Sequence, residues 1–336
     1  MDVLQLCPND HPPFGEVCAG HAEALGRLGH RVRTVFFESR GFQPPAEFEF
    51  DYKPADRLGD VGRPELLVSH RYGAYRAGVG LARRLSIPQH IVLAHEFGMF
   101  SRLSRRIRHR LFATRTTRFA GVSPPVAEDL RRSGVRTPLV LPNPIDAARI
   151  RSRLKPRETA RAALGIPDNA FVVGVVGRLH PKKNPLRAVD VFGRYRAEDH
   201  TAQLVFVGTG PLQDQVARSA GDGVVLAGYR PDVRELLGAF DVLLSCSTRS
   251  EAFGLALLEA LAAGMPVIAA DQPGPRFVLG PCGSYFESDA ELLARLRDLR
   301  SGGAPSPPGD DFVDTAMRHV EREFSVDALA SRYENL

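Results

Sequence analysis

The feature that most constrains this chain is the regular alternation of short apolar runs with longer helical stretches along its whole length. The apolar runs of the first half read DVLQLC, RVRTVFF, ELLVSH, HIVLAHE, FAGVS and PLVLP. Those of the second half read FVVGVVGRL, QLVFVG, VVLAG, DVLLSCS, PVIAA and SYFE. Strands that alternate with helices form parallel sheets whose two faces are both covered by helices. The pattern therefore predicts an α/β protein built from doubly wound parallel sheets.

The two sets of strands are similar in size, which predicts two Rossmann-like domains. The motif LPNPID at 141–146 contains two prolines that keep it extended, so we expect the join between this motif and the strand at Phe171. A Gly/Pro-rich stretch at 301–311 predicts a loop before a last helix near 312–335. The predicted divisions are an N-terminal domain over 1–148, a C-terminal domain over 149–315, and a C-terminal helix over 316–336 that packs back on the N-terminal domain.

Composition narrows the class of protein. With 43% hydrophobic and 25% charged residues, the chain has the composition of a globular protein rather than a disordered or collagen-like one. It shows no signal-peptide pattern and no apolar run of membrane-spanning length, so a cytoplasmic location is expected. The cysteines have no CxxC pairing and no metal-ligand spacing with histidine, which predicts reduced, mostly buried thiols and no structural zinc: Cys7, Cys18, Cys246 and Cys282.

The positive charge is concentrated in the first half of the chain. Residues 1–150 contain 22 Lys and Arg against 15 Asp and Glu, a net charge of +7, whereas residues 151–336 contain 22 against 24, a net charge of −2. This asymmetry indicates an anionic partner for the first half. A nucleic acid is disfavoured because no nucleic-acid-binding module is recognisable.

The first segment that carries chemistry is VVGVVGRLHPKKNPLRAVDVF. A strand ends at Gly177, and the loop after it presents Arg178, Lys182 and Lys183 before a helix begins near Asn184. Cations at a helix N-terminus suit a phosphate group. The loop lacks the GxxxxGK[ST] and GxGxxG spacings, which disfavours nucleoside triphosphatase and dinucleotide-binding functions. Taken alone, a polar loop with solvated cations is the simpler interpretation.

Two further segments follow. LVFVGTGPLQDQ places Gly208 and Gly210 in a turn after a strand. There they either let the backbone approach a ligand or a neighbouring helix, or simply form a tight turn. DVLLSCSTRSEAFGLALLEALAAGMPVIAAD predicts a strand, a polar loop and a helix that begins near Phe253. Glu251 lies at the start of this helix and Glu259 eight residues later, so both carboxylates are expected on one helix face. The alternative is that Glu251 stabilises the helix start and Glu259 pairs with a neighbouring arginine.

Taken together, GVVGRLHPKKN, LVFVGTGP and LAGYRPDVRELLGAFDVLLSCSTRSEAFGLALLEALAAGMPVIAAD resemble glycosyltransferase family 4 in order and spacing. The resemblance covers nearly all of 171–280 and, more loosely, the first half. It implies the GT-B fold, in which two Rossmann-like doubly wound parallel-sheet domains face each other across a cleft. It also implies a retaining, nucleotide-sugar-dependent glycosyltransferase whose C-terminal domain holds the donor, such as a UDP- or GDP-sugar.

The resemblance assigns roles to residues of the second half. Arg178 and Lys183 match the basic pair that neutralises the donor diphosphate. Glu259 matches the carboxylate that accepts hydrogen bonds from the ribose hydroxyls. Glu251 matches the carboxylate near the hydroxyls of the donor sugar. The remaining candidates are backbone contacts and a base-contacting loop: Gly177, Gly208, Gly210, Phe253, Gly254, Leu255, Tyr229 and Arg230. Two cations can stabilise a departing phosphate without a metal, and no aspartate pair has DxD spacing, so neither metal nor cofactor is expected.

The first half is expected to supply the acceptor side. His95 ends a strand and matches the family histidine that contacts the transferred sugar, with His70 and His11 as competitors; a hydrogen-bonded neutral histidine at the sheet margin is the alternative. The first loop, CPNDHPPFGEV, departs from the family because it has Gly15 alone instead of a glycine pair.

Seven arginines lie between 102 and 118, with Phe100, Leu103, Ile107 and Leu111 at helical spacing. This pattern predicts an amphipathic helix whose apolar face lies in the core and whose cationic side is available to an anionic membrane surface. The expected partners are thus a nucleotide sugar and a glycan or lipid-linked acceptor of the envelope or lipopolysaccharide-core type. The protein is also expected to bind peripherally to an anionic membrane surface. Two competing functions stay open: a sugar-nucleotide epimerase of the same fold, and a non-catalytic sugar-nucleotide binder.

Overall fold

A computed structural model describes residues 1–42, 48–59, 61–248, 251–303 and 312–336. Its backbone contacts divide the chain into two compact units. The first unit consists of Met1–Ile145 together with Glu323–Leu336, and the second of Asp146–Arg322. Most of the loop predicted at 301–311 lies outside the described residues.

The strands of the first unit are β1 (Asp2–Cys7), β2 (Arg31–Phe36), β3 (Phe50–Tyr52), β4 (Leu66–His70), β5 (Gln89–Ala94), β6 (Thr117–Gly121) and β7 (Leu139–Val140). Within the described residues they form one parallel sheet in the order β3-β2-β1-β4-β5-β6-β7. All except β3 coincide with predicted apolar runs, and most of their residues are buried, although both residues of the edge strand β7 are only half-buried. β3 is a short edge strand with two exposed residues out of three, so it carries no apolar run.

The sheet of the first unit is covered by α1 (Phe14–Arg27), α2 (Arg71–Arg84), α3 (Leu103–Phe112), α4 (Pro124–Arg132) and, from the end of the chain, α13 (Val326–Glu334). α1 buries Ala24 and Leu25, and α13 buries Leu329 against the same core. His21 on α1 and the hydroxyl of Tyr333 on α13 form a hydrogen bond of 2.8 Å between Nδ1 and Oη. The C-terminal helix therefore completes the first unit.

Of the apolar stripe predicted around α3, Phe100 is fully buried, but the prediction of a core-facing side is wrong for Leu103, Ile107 and Leu111. None of the residues of α3 is buried, and Leu103 and Leu111 are 71% and 68% exposed. The helix is instead turned so that His109 faces the unit, with its ring 4.8 Å from Phe100 and 4.9 Å from Phe119. Among the described residues, no helix combines the length and the apolar character that spanning a membrane requires.

The strands of the second unit are β8 (Val172–Val176), β9 (Gln203–Val207), β10 (Val224–Leu226), β11 (Val242–Ser245), β12 (Val267–Ala270) and β13 (Gly283–Phe286). They form a parallel sheet in the order β10-β9-β8-β11-β12-β13 over the described part of the chain. Each coincides with a predicted apolar run. The prediction of parallel sheets in both halves is therefore confirmed.

The helices of the second unit are α5 (Ala147–Arg153), α6 (Arg157–Leu164), α7 (Pro185–Arg196), α8 (Gln213–Ser219), α9 (Leu255–Ala262), α10 (Pro273–Leu279), α11 (Asp289–Arg300) and α12 (Phe312–Phe324), which ends in the first unit. Short 3-10 turns occur at Pro181–Lys183, Val233–Ala239 and Gly280–Cys282. α7 and α11 pack on one face of the sheet through Phe192 and Leu292. The fully buried guanidinium of Arg161 is paired with Asp241 at 3.0 Å.

The single last helix predicted near 312–335 is in fact two helices, α12 and α13. They are separated by Ser325, whose backbone is extended and whose Oγ accepts a hydrogen bond of 3.0 Å from the amide of Ala328. A serine in this position is a favourable N-cap, so it starts a new helix rather than continuing the old one.

In each sheet, successive strands are first added toward one edge and then toward the other, so the order of strands reverses at one point. The reversal separates β1 from β4 in the first sheet and β8 from β11 in the second. Because the strands are parallel, the loops after these strands emerge side by side at the carboxyl edge of each sheet. Open α/β sheets bind their ligands in the crevice at such switch points.

Candidate functional site

The loop after β8 presents cations at the switch point of the second sheet. Gly177 follows the strand with φ +141°, and the side chain of Arg178 next to it is exposed. A 3-10 turn, Pro181–Lys183, then leads into α7. His180 Nδ1 accepts a hydrogen bond of 3.2 Å from the amide of Lys182, which fixes the start of this turn. Within the described part of the chain, Arg178 has no hydrogen-bonding or ion-pair partner for its guanidinium.

The loop after β11 meets this turn and supplies a carboxylate. Lys183 Nζ forms an ion pair with Glu251 Oε2, which also accepts a hydrogen bond of 3.0 Å from Ser247 Oγ. The side chain of Glu251 is 14% exposed, and that of Lys183 is 34% exposed. The amide of Thr248 donates to the carbonyl of Lys182 at 2.8 Å, which ties the two loops together. The structure thus brings together two residues that are 68 positions apart in sequence.

The expectation that Glu251 and Glu259 share one helix face is wrong. α9 begins at Leu255, after Gly254 in the left-handed region with φ +100°, so Glu251 precedes the helix and lies in the loop. The predicted helix start near Phe253 is confirmed to within two residues. The Phe253 side chain is buried, which leaves its backbone, with those of Gly254 and Leu255, as the part able to contact a ligand at the helix N-terminus.

Glu259 has a partner that the sequence did not reveal. It is 7% exposed on α9, and its Oε1 accepts hydrogen bonds from Arg234 Nε at 2.9 Å and from Arg234 Nη2 at 2.6 Å. Arg234 belongs to the 3-10 turn Val233–Ala239, which follows β10. The alternative considered for Glu259, pairing with a neighbouring arginine, is therefore observed. Nothing in the run RPDVRELL distinguishes this arginine from Arg230, so its role was missed.

The loop predicted to contact the base, residues 228–230, contains an exposed tyrosine ring and an arginine that is hydrogen-bonded to a neighbouring carboxylate. Tyr229 is 63% exposed, directly after Gly228 with φ +67°. Arg230 donates to both oxygens of Asp232, each at 2.9 Å. This hydrogen bonding to Arg230 lowers the pKa of Asp232 to about 2. Arg230 therefore holds its own loop together, and Tyr229 is the side chain that the loop presents outward.

Gly208 and Gly210 bring two backbone segments into contact. A Cβ on Gly208, which has φ +138°, would overlap the carbonyl of Gly177, and a Cβ on Gly210 would overlap the carbonyl of Leu179. The amide of Gly177 donates to the carbonyl of Val207 at 2.9 Å. The close approach predicted for these glycines is thus to the loop after β8 rather than to a neighbouring helix.

In the first unit, the competing histidines occupy different environments. His95, which follows β5, is half-buried and shares a hydrogen bond of 2.9 Å with the fully buried His70 at the end of β4. Desolvation lowers the pKa of both rings well below their usual range, with the nearby Arg71 adding to the effect, so both rings are neutral. His11 is exposed, and its Nδ1 contacts the carbonyl of Pro12 at 2.6 Å. His95 is one of the residues that line a cavity with a volume of about 620 Å³.

Gly15 was predicted in the first loop, but this is wrong, because it is the second residue of α1 and is buried inside the first unit. A Cβ on Gly15 would lie 2.7 Å from the carbonyl of Asp10 and from the ring of Phe42, so the residue allows α1 to approach both. The carboxylate of Asp10 is fully buried and accepts hydrogen bonds from the amide of Phe42 at 3.2 Å and from the hydroxyl of Tyr52 at 2.6 Å. Asp10 thus holds these loops together, and no motif in the sequence points to this role.

All four cysteines are buried, as predicted, but two of them touch. Cys7 Sγ lies 3.0 Å from Cys18 Sγ, and both lie within 4.8 Å of a ring nitrogen of His70. Two thiolates bound to one tetrahedral zinc at 2.3 Å would be about 3.8 Å apart. The contact between Cys7 and Cys18 is shorter than this, so the two sulfur atoms do not have the spacing of a zinc site.

Comparison with known proteins shows that part of this chain is similar to known glycosyltransferases. Residues 156–295 match the family model described as "Glycosyl transferases group 1". UDP-Gal:alpha-D-GlcNAc-diphosphoundecaprenol alpha-1,3-galactosyltransferase from Escherichia coli is 31% identical over 144 residues, which are 40% of this chain and 37% of that protein. D-inositol 3-phosphate glycosyltransferase from Streptomyces coelicolor is 36% identical over 194 residues, which are 52% of this chain and 42% of that protein. The chain therefore spans about two fifths of the length of these two relatives.

Among solved structures, HepE of Anabaena in complex with UDP has a TM-score of 0.82 to this chain at 19% identity, and the match covers 100% of this chain and 99% of that one. At this identity the likeness shows the fold, and it confirms the predicted GT-B type of α/β fold. Residues 156–295, which match the model of the group 1 glycosyl transferases, all lie within the second unit.

Proposed function

We propose that this protein is a retaining glycosyltransferase that moves a sugar from a nucleoside diphosphate donor to a hydroxyl group of an acceptor. The observation that carries the proposal is the ion pair between Lys183 and Glu251. It lies at the carboxyl ends of β8 and β11, where an open α/β sheet binds its ligands, and inside the segment that matches the family model.

The cations act on the leaving group. Arg178 and Lys183 lie on the loop after β8, and the donor diphosphate binds against them. As the bond between the sugar and the diphosphate breaks, negative charge develops on the phosphate oxygen, and two fixed cations stabilise that charge without a metal ion. The first-turn amides of α9, after Gly254, add backbone donors to the same diphosphate.

The two carboxylates orient the donor. Glu251 is held by Lys183 and Ser247, so its position is fixed before the sugar binds. The ribose hydroxyls donate to Glu259, whose position is in turn fixed by Arg234. Tyr229 offers an exposed ring to the base. This division of roles gives the cations the larger share of the catalysis.

Retention of configuration follows if the acceptor hydroxyl attacks from the face that the diphosphate leaves. A phosphate oxygen of the donor then accepts the proton of the hydroxyl, and no protein base is required. His95, which is neutral, donates or accepts a hydrogen bond at a sugar hydroxyl without adding charge.

The acceptor is a glycan or lipid-linked precursor, and the enzyme works at the cytoplasmic face of an anionic membrane. The relative from Escherichia coli is named for a diphosphoundecaprenol-linked acceptor. α3 exposes Leu103, Ile107 and Leu111 beside its arginines, which is the composition of a helix that lies in a membrane interface. Each arginine near an anionic surface contributes about 1 kcal/mol to binding. Equal co-sedimentation with neutral and anionic vesicles would contradict this part of the proposal.

The reaction itself is tested by measuring release of nucleoside diphosphate from a panel of UDP- and GDP-hexoses, with soluble and polyprenyl-diphosphate-linked sugars as acceptors. We expect one donor to be consumed together with an acceptor, and NMR of the product to show the anomeric configuration of the donor. Consumption of the donor without an acceptor, with an epimer as product, would instead identify an epimerase. Inversion at the anomeric carbon would contradict the retaining mechanism.

A further inference from the structure

The cavity of about 620 Å³ in the first unit lies at the switch point of the first sheet. Its walls come from the loop after β1, the start of α2 after β4, and the loop that runs from β5 into α3. All of its lining residues lie between Pro8 and Arg105, within the first unit. The cavity therefore occupies the position where a doubly wound sheet binds a ligand.

The walls of this cavity are strongly cationic. Arg71, Arg76, Arg102 and Arg105 line it, and among the described lining residues Glu96 is the one carboxylate. Glu96 is 65% exposed and lies 3.8 Å from Arg71, so it offsets only part of the charge. A cluster of guanidinium groups around a concave surface is the usual means of binding a phosphate group, because each can form two parallel hydrogen bonds to it.

Two of the arginines pack over aromatic rings, and donors of three of the four are unused among the described residues. Arg105 lies over the ring of Tyr72 at 4.3 Å and donates to the carbonyl of Met99 at 3.2 Å. Arg71 lies over the ring of Phe14 at 4.0 Å, and its buried Nε has no hydrogen-bond partner among the described residues.

Arg76 and Arg102 are exposed and, in the part of the chain that the structure describes, form no side-chain hydrogen bond or ion pair. The cavity thus combines rigid and adaptable cations.

The backbone adds further donors. α2 and α3 both begin at the cavity, where Tyr72 and Gly73 belong to the first turn of α2 and Ser104 to the first turn of α3. Neither helix has a side-chain cap, so first-turn amides of both are available to an anion. Arg71 also has φ +64°, a strained conformation for an arginine that directs the chain into the cavity wall.

We propose that this arginine cavity binds a phosphate group carried by the acceptor, which is then a phosphorylated sugar or polyol whose hydroxyl lies beside His95. This inference rests on the proposed function only in calling the ligand an acceptor. The phosphate is an ester on a soluble molecule or on a lipid headgroup, and the cavity recognises the chemistry that the two share.

The test uses the full chain and measures binding of glycerol 3-phosphate by calorimetry, with glycerol as the unphosphorylated control. The variant Arg76→Ser/Arg102→Ser removes the two exposed arginines of the cavity. The matched control is Arg57→Ser/Arg63→Ser, which removes two exposed arginines of the same unit that do not line the cavity. We expect the cavity variant to weaken glycerol 3-phosphate binding by at least about tenfold and the control to change it less than twofold.

Equal weakening in the two variants, or equal binding of glycerol and glycerol 3-phosphate, would overturn the inference. So would displacement of glycerol 3-phosphate by UDP or GDP, because the phosphate would then occupy the donor site. Vesicles of phosphatidylcholine with phosphatidic acid distinguish the source of the phosphate. If glycerol 3-phosphate competes with the vesicles for the protein, the acceptor is soluble. If glycerol 3-phosphate does not compete and only the cavity variant fails to bind the vesicles, the phosphate belongs to a lipid.

The same samples separate this inference from the proposed function. UDP and GDP should bind the cavity variant as they bind the unmodified protein. If neither nucleotide binds the unmodified protein while glycerol 3-phosphate does, the glycosyltransferase proposal fails and the phosphate site stands. If the nucleotides bind and the phosphate does not, only the phosphate site fails.

Discussion

Replacing Lys183 by alanine should remove one of the two cations that stabilise the leaving phosphate. Lys183 Nζ is already bound to Glu251, whose side chain is 14% exposed, so the cation is fixed before the donor arrives. Loss of one fixed donor to a developing oxyanion costs about 3–4 kcal/mol in the transition state, which lowers kcat about 10²–10³-fold. Loss of the ion pair also leaves Glu251 with Ser247 alone, at a cost to folding of about 1 kcal/mol after allowance for the partly exposed lysine.

The neighbouring lysine is a matched control. Lys182→Ala removes the same charge from the adjacent position, but the side chain of Lys182 is exposed and only its carbonyl takes part in the loop contact with Thr248. Steady-state release of nucleoside diphosphate should therefore fall in Lys183→Ala and stay within about twofold in Lys182→Ala. A kcat of Lys183→Ala within threefold of the unmodified protein, or an equal fall in the two variants, would refute the reasoning.

Three further outcomes are expected. Glu259→Gln should weaken binding of UDP or GDP about tenfold in calorimetry, because an amide loses the charge-assisted hydrogen bonds of the carboxylate; unchanged affinity would contradict its role. Gly208→Ala should lower the free energy of unfolding by about 2–5 kcal/mol in urea titrations, since the new Cβ overlaps a backbone carbonyl at positive φ, whereas Gly193→Ala, where a Cβ meets open space, should not. Burial lowers the pKa of His21 and His90 to about 3, so their contribution to the free energy of unfolding is complete above pH 6.5 and is lost as the pH falls. Between pH 7.5 and pH 5 the free energy of unfolding should drop by about 4 kcal/mol. A free energy of unfolding that does not change over this range would contradict the prediction.

The sheets could be predicted because most of their strands are short apolar runs with buried side chains. Every predicted apolar run corresponds to a strand, and the sequence alone led to parallel pairing in both units. β3 could not be found in this way, since a three-residue edge strand with exposed residues has no periodic signal. Ser325 is a similar case: a serine within an amphipathic stretch is compatible with a helix interior or with a cap, and only the backbone decides.

The candidate site was predictable in its residues but not in its contacts. The motifs identified Lys183, Glu251 and Glu259, yet Glu251 was placed on the helix because the length of the preceding loop has no signal in sequence. Arg234 was missed because its pairing with Glu259 joins segments 25 residues apart, and several arginines lie near it in the chain. Spacing shows which residues belong to a motif, whereas ion pairs depend on loop geometry.

The orientation of α3 was wrong for a related reason. Its leucines have the spacing of a core-facing stripe, and periodicity alone cannot distinguish a face that packs on a sheet from one that faces outward. The aromatic contacts of His109 with Phe100 and Phe119 decide the orientation, and they join residues from three segments of the chain.

The central claim, that the second unit binds a nucleotide sugar, is tested most directly by the thermal stability of the full chain with a panel of nucleotides and nucleotide sugars. A ligand present at 100 times its Kd stabilises the folded state by about 2.7 kcal/mol. For a unit of this size that raises Tm by about 5–10 °C. We predict such a shift with UDP or GDP and their sugars, reduced by Lys183→Ala and not by Lys182→Ala. Unchanged Tm with every nucleotide and nucleotide sugar of the panel would contradict the account.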